Sequence, residues 1–198
     1  MKDIVFATGN AGKMREIRAI LDDLPVRVLS MAEAGIRTDI VEDGTTFAEN
    51  AVIKVKALRP FTDAVILADD SGLVVDALGG EPGVYSARYL GEDTPYSVKN
   101  AEIIRRVNES GLPRTARFTA VIAALLPDGT VLTTEGHMEG EIARKPAGAN
   151  GFGYDPILWL PDYGCTSAEL PPDEKNAISH RGKALRAMKT LLQERYFA

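Results

Sequence analysis

Asp3-Ile4-Val5-Phe6-Ala7-Thr8-Gly9-Asn10-Ala11-Gly12-Lys13 sets an apolar strand against a glycine-bearing turn and the start of a helix. Asp3 to Ala7 reads as a short buried strand, and Lys13 to Leu21 as a helix with Met14, Ile17 and Leu21 on one face. The same rhythm continues outward. Val26 to Ser30 reads as a second strand, and Thr46-Phe47-Ala48-Glu49 is a capping box that opens a helix. Its apolar stripe is Phe47, Ala51, Val55 and Leu58. Ala64 to Ala68 is a third strand, expected to stop abruptly at a turn formed by Asp69-Asp70-Ser71-Gly72. Strands alternating with helices imply a sheet that is at least partly parallel.

Farther along, Gly79-Gly80-Glu81-Pro82-Gly83 is a loop, since it is too rich in breakers for a regular element. Pro95 opens a helix carrying Ala101, Ile104 and Val107. Arg117 to Leu126 and Thr130 to His137 read as two strands of an antiparallel hairpin, joined at Pro127-Asp128-Gly129. A last helix from about Arg181 buries Leu185, Met188 and Leu192. The expected fold is α/β: one mixed twisted sheet with flanking helices, with a cleft between two lobes.

The bulk properties narrow the class. A chain of 198 residues is most simply one domain. It is 45% hydrophobic and 26% charged, as ordinary globular proteins are. A net charge of −5 disfavours a nucleic-acid backbone as partner, but a locally basic pocket can still take a free nucleotide. The one cysteine, Cys165, allows no intrachain disulfide and has no nearby activating partner in sequence. No apolar run approaches the roughly 18 residues of a membrane span. Residues 3–7 read as a strand and not as the apolar region of a signal peptide, so a cytoplasmic location is expected.

Three constellations carry chemistry. Thr8, Gly9, Asn10, Ala11, Gly12 and Lys13 join the first strand to the first helix, where backbone N–H groups and a helix N-terminus favour phosphate. Only Asn10 and Ala11 separate Gly9 from Gly12-Lys13, and Met14 follows, so this is not a P-loop. Asp69 and Asp70 are adjacent, and in extended backbone their side chains point to opposite sides, so they take different tasks. One carboxylate suits Mg²⁺, with Glu42 as a second ligand, and the other suits orientation or deprotonation of water. Gly151-Phe152-Gly153-Tyr154-Asp155-Pro156 offers accessible backbone, and either Phe152 or Tyr154 could stack on a base. Lys175, His180 and Arg181 are candidate donors to its edge, whereas His137 reads as structural.

Taken together, these stretches resemble the inosine triphosphate pyrophosphatase family, in particular its bacterial dITP/XTP pyrophosphatases. The resemblance rests on ATGNAGKMREI (7–17), TTFAENAVIKVKAL (45–58), ILADDSGLVVDALGGEPGVYSARYLGED (66–93), ARF (116–118), GFGYDPIL (151–158) and EKNAISHRGKAL (174–185), in the family's order. It implies hydrolysis of ITP, dITP and XTP to the monophosphate and pyrophosphate, with Mg²⁺ as cofactor, in a homodimer. It implies phosphate binding by Thr8, Asn10 and Lys13, with Ser71 also contacting substrate. Glu42 and Asp70 would hold Mg²⁺, Asp70 would also accept the proton, and Asp69 would lie close by. Phe152 to Asp155, Lys175, His180 and Arg181 would take the nucleoside. A donor-lined pocket would select 6-oxopurines over adenine. The rival readings are a pyrophosphatase of different base preference and a nucleotide-sensing module without turnover.

Overall fold

The computed structural model describes residues 2–197. Seven strands form one sheet in the order β2-β1-β3-β4-β5-β6-β7. The strand β1 (Lys2–Phe6) pairs in parallel with both β2 (Val26–Ser30) and β3 (Val65–Val75). The long strands β4 (Thr115–Leu125) and β5 (Val131–Ile142) follow. Leu126 N–H donates to Thr130 O at one end and Ile142 N–H to Arg114 O at the other, so these two run antiparallel as expected. The short β6 (Leu158–Leu160) and β7 (Cys165–Thr166) complete the sheet with antiparallel pairing.

The chain divides into two compact units, Met1–Asp70 with Ala120–Gly136 and His180–Ala198, and Ser71–Thr119 with His137–Ser179. In the first unit, strand alternation sends neighbouring residues to opposite faces. Ile4, Phe6, Val65, Leu67, Ala120 and Ile122 join α1 (Ala11–Leu21) and α5 (His180–Arg195) in one core. Val5, Ala7, Ile66, Ala68, Val121 and Ala123 join α2 (Phe47–Leu58) in another. The second unit packs α3 (Tyr96–Ser110) with Leu73, Val75, Phe118, Met138 and Ile157, and also holds α4 (Pro172–Ile178).

Local signals account for most element starts. The expected capping box forms: Thr46 Oγ1 accepts from Glu49 N–H at 3.1 Å, and Glu49 Oε2 accepts from Thr46 N–H at 3.2 Å. The first helix begins at Ala11 rather than Lys13, because Asn10 caps it by accepting from the Gly12 and Lys13 N–H groups. Two expectations are corrected. The third strand does not stop at Asp69; it runs through Asp69-Asp70-Ser71-Gly72 to Val75, since Leu73 and Val75 resume its apolar face. In α3, Ala101 is exposed and the buried stripe is Lys99, Asn100, Ile103, Ile104 and Val107, a face shifted around the helix by two polar residues.

Candidate functional site

The mid-strand position of Asp69 and Asp70 decides what each touches. Alternation directs Asp69 toward the α1 and α5 side and Asp70 toward α2, as adjacent strand residues must diverge. Asp69 is fully buried and accepts from Lys13 Nζ at 3.0–3.1 Å and from Arg181 Nε at 3.2 Å. Arg181 in turn pairs with Glu16, one turn after Gly12-Lys13 on α1. Burial favours the neutral acid at Asp69, but Lys13, Arg181 and Lys54 outweigh it and hold the carboxyl well below the usual carboxylate range. Burial moves Lys13 the other way, below an ordinary lysine, despite the attraction of Asp69.

Asp70 has different company. Its Oδ2 accepts from Asn50 Nδ2 at 3.2 Å, and its Oδ1 lies 3.4 Å from Lys54 Nζ. Lys54 Nζ also reaches Glu42 Oε2 at 2.8 Å. Burial, with Glu42 and Asp69 adding to it, raises the Asp70 pKa against the pull of Lys54 and Asn50. Burial disfavours the charge of Lys54, yet Asp70, Asp69 and Glu42 together raise its pKa. Asn50 is only 1% exposed and uses both ends of its amide, since its Oδ1 accepts from Gly44 N–H at 2.8 Å. A Cβ on Gly44 would lie 2.6 Å from that Oδ1, so glycine is required for the approach. Asn50 and Lys54 had not been singled out in sequence. Their signal was available: both fall on the inward stripe of α2 between Phe47, Ala51, Val55 and Leu58.

The donor set fits Mg²⁺. Glu42 and Asp70 converge on one ammonium, and hard carboxylate oxygens are the ligands this cation prefers. Among the described residues no group of three or more His, Cys, Asp or Glu side chains could hold a metal. Two carboxylates are nonetheless sufficient for Mg²⁺, which takes remaining positions from water and substrate phosphate. A cavity of about 540 Å³ in this unit is lined by Thr8, Gly9, Lys13, Glu42, Lys54 and Asp69. Thr8 Oγ1 accepts from Asn10 N–H, so the turn is internally tied, and Asn10's own side chain is occupied in capping.

The aromatic constellation lies in the second unit. Asp155 is buried and saturated: it accepts from Phe152 N–H at 2.8 Å, Ser167 Oγ at 2.8 Å and Lys175 Nζ at 2.7 Å. A Cβ on Gly151, whose φ is +74°, would sit 2.2 Å from the Asp155 carboxylate. The carboxylate therefore builds the turn. Of the two candidate stacking rings, Phe152 is 41% exposed, with Lys175 Nζ 5.3 Å from its ring centre. Tyr154 is 4% exposed, and its hydroxyl donates to Ser86 O at 2.6 Å, with burial raising its pKa. Phe152 is the more exposed of the two rings. Lys175 lies on α4 in this unit, and His180 and Arg181 open α5 in the other. Ser71 follows Asp70 on β3, in the second unit. Burial raises the Cys165 thiol pKa, and Nδ1 of His137 is 3.0 Å from Thr119 Oγ1.

No helix among the described residues is long and apolar enough to cross a membrane. Comparison with known proteins gives consistent results. The chain is 49% identical over 188 residues to a dITP/XTP pyrophosphatase of Geobacillus kaustophilus, covering 93% of this chain and 91% of that one. It is 44% identical over 196 residues to a dITP/XTP pyrophosphatase of Bacillus subtilis, covering 98% of each. A solved HAM1 protein from Coxiella burnetii superposes with a TM-score of 0.91 at 42% identity, covering 98% of this chain and 100% of that one. The model of the Ham1 family matches residues 4–191, and with the same mixed sheet and relatives of this similarity the chain belongs to the Ham1 family.

Proposed function

We infer that this protein hydrolyses non-standard purine nucleoside triphosphates, namely dITP, XTP and ITP, to the monophosphate and pyrophosphate. The observation that carries the reading is the cavity at the phosphate turn, lined by Lys13, Lys54, Glu42 and Asp69, with Asp70 paired to Lys54. The names of the relatives point the same way. Thr8, Gly9 and Lys13 bind polyphosphate. Asp70, whose burial and carboxylate neighbours raise its proton affinity, takes the proton from the attacking water, and Asn50 orients it. Asp69 acts through Lys13 and Arg181, which it holds in place. Mg²⁺, held by Glu42 and Asp70, would neutralise charge developing on departing pyrophosphate.

In the second unit Phe152 stacks on the purine, and the backbone N–H groups of Gly153 and Tyr154 read its acceptor edge, those of Phe152 and Asp155 being donated within the turn. Adenine presents an amino donor at position six where hypoxanthine and xanthine present oxygen, so a donor-lined edge rejects it. The protein is further proposed to act in the cytoplasm as a homodimer, clearing deaminated purines from the nucleotide pool. The test is turnover of ITP, XTP, dITP, GTP and ATP with and without Mg²⁺, scoring pyrophosphate against orthophosphate. Mg²⁺-dependent pyrophosphate from ITP, XTP and dITP, feeble with GTP and ATP, is the expected result. Equal release from every nucleotide would refute the base selectivity. Orthophosphate, or binding without turnover, would refute the reaction.

A further inference from the structure

Tyr96, Lys99 and Asn100 share one face of α3, spaced three and four residues apart, and all three engage the aromatic turn or the segment it rests on. The Tyr96 ring lies edge-on to Tyr154 at 5.1 Å and 3.5 Å from where a Gly153 Cβ would stand. Lys99, fully buried, donates to Ala87 O at 2.7 Å, next to the Ser86 carbonyl that takes the Tyr154 hydroxyl. Asn100, 4% exposed, donates from Nδ2 to Gly153 O at 3.2 Å. The opposite amide orientation would set oxygen against oxygen. Its Oδ1 is buried and accepts no hydrogen bond among the described residues. An orphaned acceptor is costly inside a protein, and a site that keeps one has a reason to hold that side chain there.

The reason lies in the peptide that Asn100 grips. Gly153 O and Tyr154 N–H belong to one planar trans peptide and point in opposite directions. Holding the oxygen toward α3 therefore turns the N–H away from it. Gly153 has φ +68° and Tyr154 has φ −90° and ψ 3°, a left-handed residue followed by a right-handed one, the arrangement in which successive N–H groups face a common acceptor. Neither the Gly153 nor the Tyr154 N–H makes a hydrogen bond among the described residues.

We propose that Asn100 is a positioning residue for base selection, fixing the Gly153–Tyr154 peptide so that its N–H meets the 6-oxo acceptor of the purine. The inference rests on the substrate reading above. Asn100→Asp removes the donor and sets a carboxylate against Gly153 O, releasing the peptide. The measurement is kcat/KM for ITP and for ATP, in wild type and variant. The ITP:ATP ratio should fall roughly ten-fold, through loss with ITP rather than ATP, as expected for one misdirected contact. A ratio within about two-fold of wild type, or equal losses with both nucleotides, would reduce Asn100 to a packing role and overturn the proposal. Should Asn100→Asp not fold, the milder Asn100→Ser is judged by the same ratio. A wild type with no preference for ITP over ATP would instead overturn the substrate reading, and the inference with it.

Discussion

Replacing Asp155 by alanine tests whether that carboxylate builds the aromatic turn. The substitution deletes the acceptor for Phe152 N–H, Ser167 Oγ and Lys175 Nζ together. Lys175 and Asp155 are both buried, so the variant leaves an ammonium in the interior without its counter-charge. Breaking a buried pair from one side costs about 3–5 kcal/mol, because the desolvation of the surviving ion is no longer offset. At about 2–4 °C per kcal/mol for a chain of this size, the melting temperature should fall by roughly 6–20 °C. Thermal unfolding followed by near-ultraviolet circular dichroism reads this directly. The double variant Asp155→Ala with Lys175→Met removes both charges and should regain at least about 1 kcal/mol over the single one. A single variant that loses less than about 1 kcal/mol would refute the reasoning, as would a double variant no more stable than the single. Either result would return Asp155 to the role expected from sequence, a group kept for the nucleoside and not for the turn.

Asp70→Asn should cut kcat for ITP by about 10²–10⁴-fold with little change in KM, measured by pyrophosphate release; near-normal kcat would exclude Asp70 as proton acceptor. Asp69, with its depressed pKa, contributes stability above its unfolded value and loses it as the pH falls below about 4. Urea midpoints taken from pH 6 to pH 3 should therefore drop steeply in wild type and more shallowly in Asp69→Asn, and parallel slopes would contradict the pairing. Gly44→Ala should destabilise by about 1–3 kcal/mol and raise the Mg²⁺ concentration needed for half-maximal turnover, because the new Cβ meets Asn50 Oδ1 at 2.6 Å. An unchanged midpoint in urea would show that the loop at 42–44 yields freely.

What sequence disclosed and what it withheld follow from the range over which each signal acts. The capping box at Thr46 and the stripes of α1 and α2 are local, and both formed as read. Local propensity points to a turn at Asp69-Asp70-Ser71-Gly72, since Asp, Ser and Gly are turn formers, whereas β3 continues through them. Cations supplied by Lys13, Lys54 and Arg181, distant in sequence, make an extended run of carboxylates tolerable there. Phe152 and Tyr154 both flank Gly153, so no local signal separates them; contacts distant in sequence, with Tyr96, Ser86 and the core of the second unit, bury the second ring. For Arg181 the chain neighbours point to the base, while its pairs with Asp69 and Glu16, distant in sequence, come to light only in the fold. Lys54 went unseen because a lysine is read by default as solvated, though its place on an apolar stripe argued otherwise.

Two adjacent carboxylates in the middle of a buried strand would be untenable if both faced one neighbour. Strand geometry removes that conflict by sending them apart, and it also separates their electrostatics. On one face Lys13 and Arg181, with Lys54 adding to them, outweigh burial, so Asp69 stays ionised across the working range and pairs with Lys13. On the other, a single ammonium is shared between Asp70 and Glu42, and the balance tips toward a raised proton affinity at Asp70. A pair of chemically identical side chains thus acquires opposite proton affinities from environment alone. The same division accounts for three carboxylates in one place: they neutralise Lys13 and Lys54, which would otherwise repel one another. On the proposed reading, Glu42 and Asp70 would hold the cation of a metal-bearing substrate, which would leave Lys54 for the phosphates. Exchanging Asp70 for another carboxylate therefore preserves less than it suggests, since the role depends on reaching Asn50 and Lys54 together.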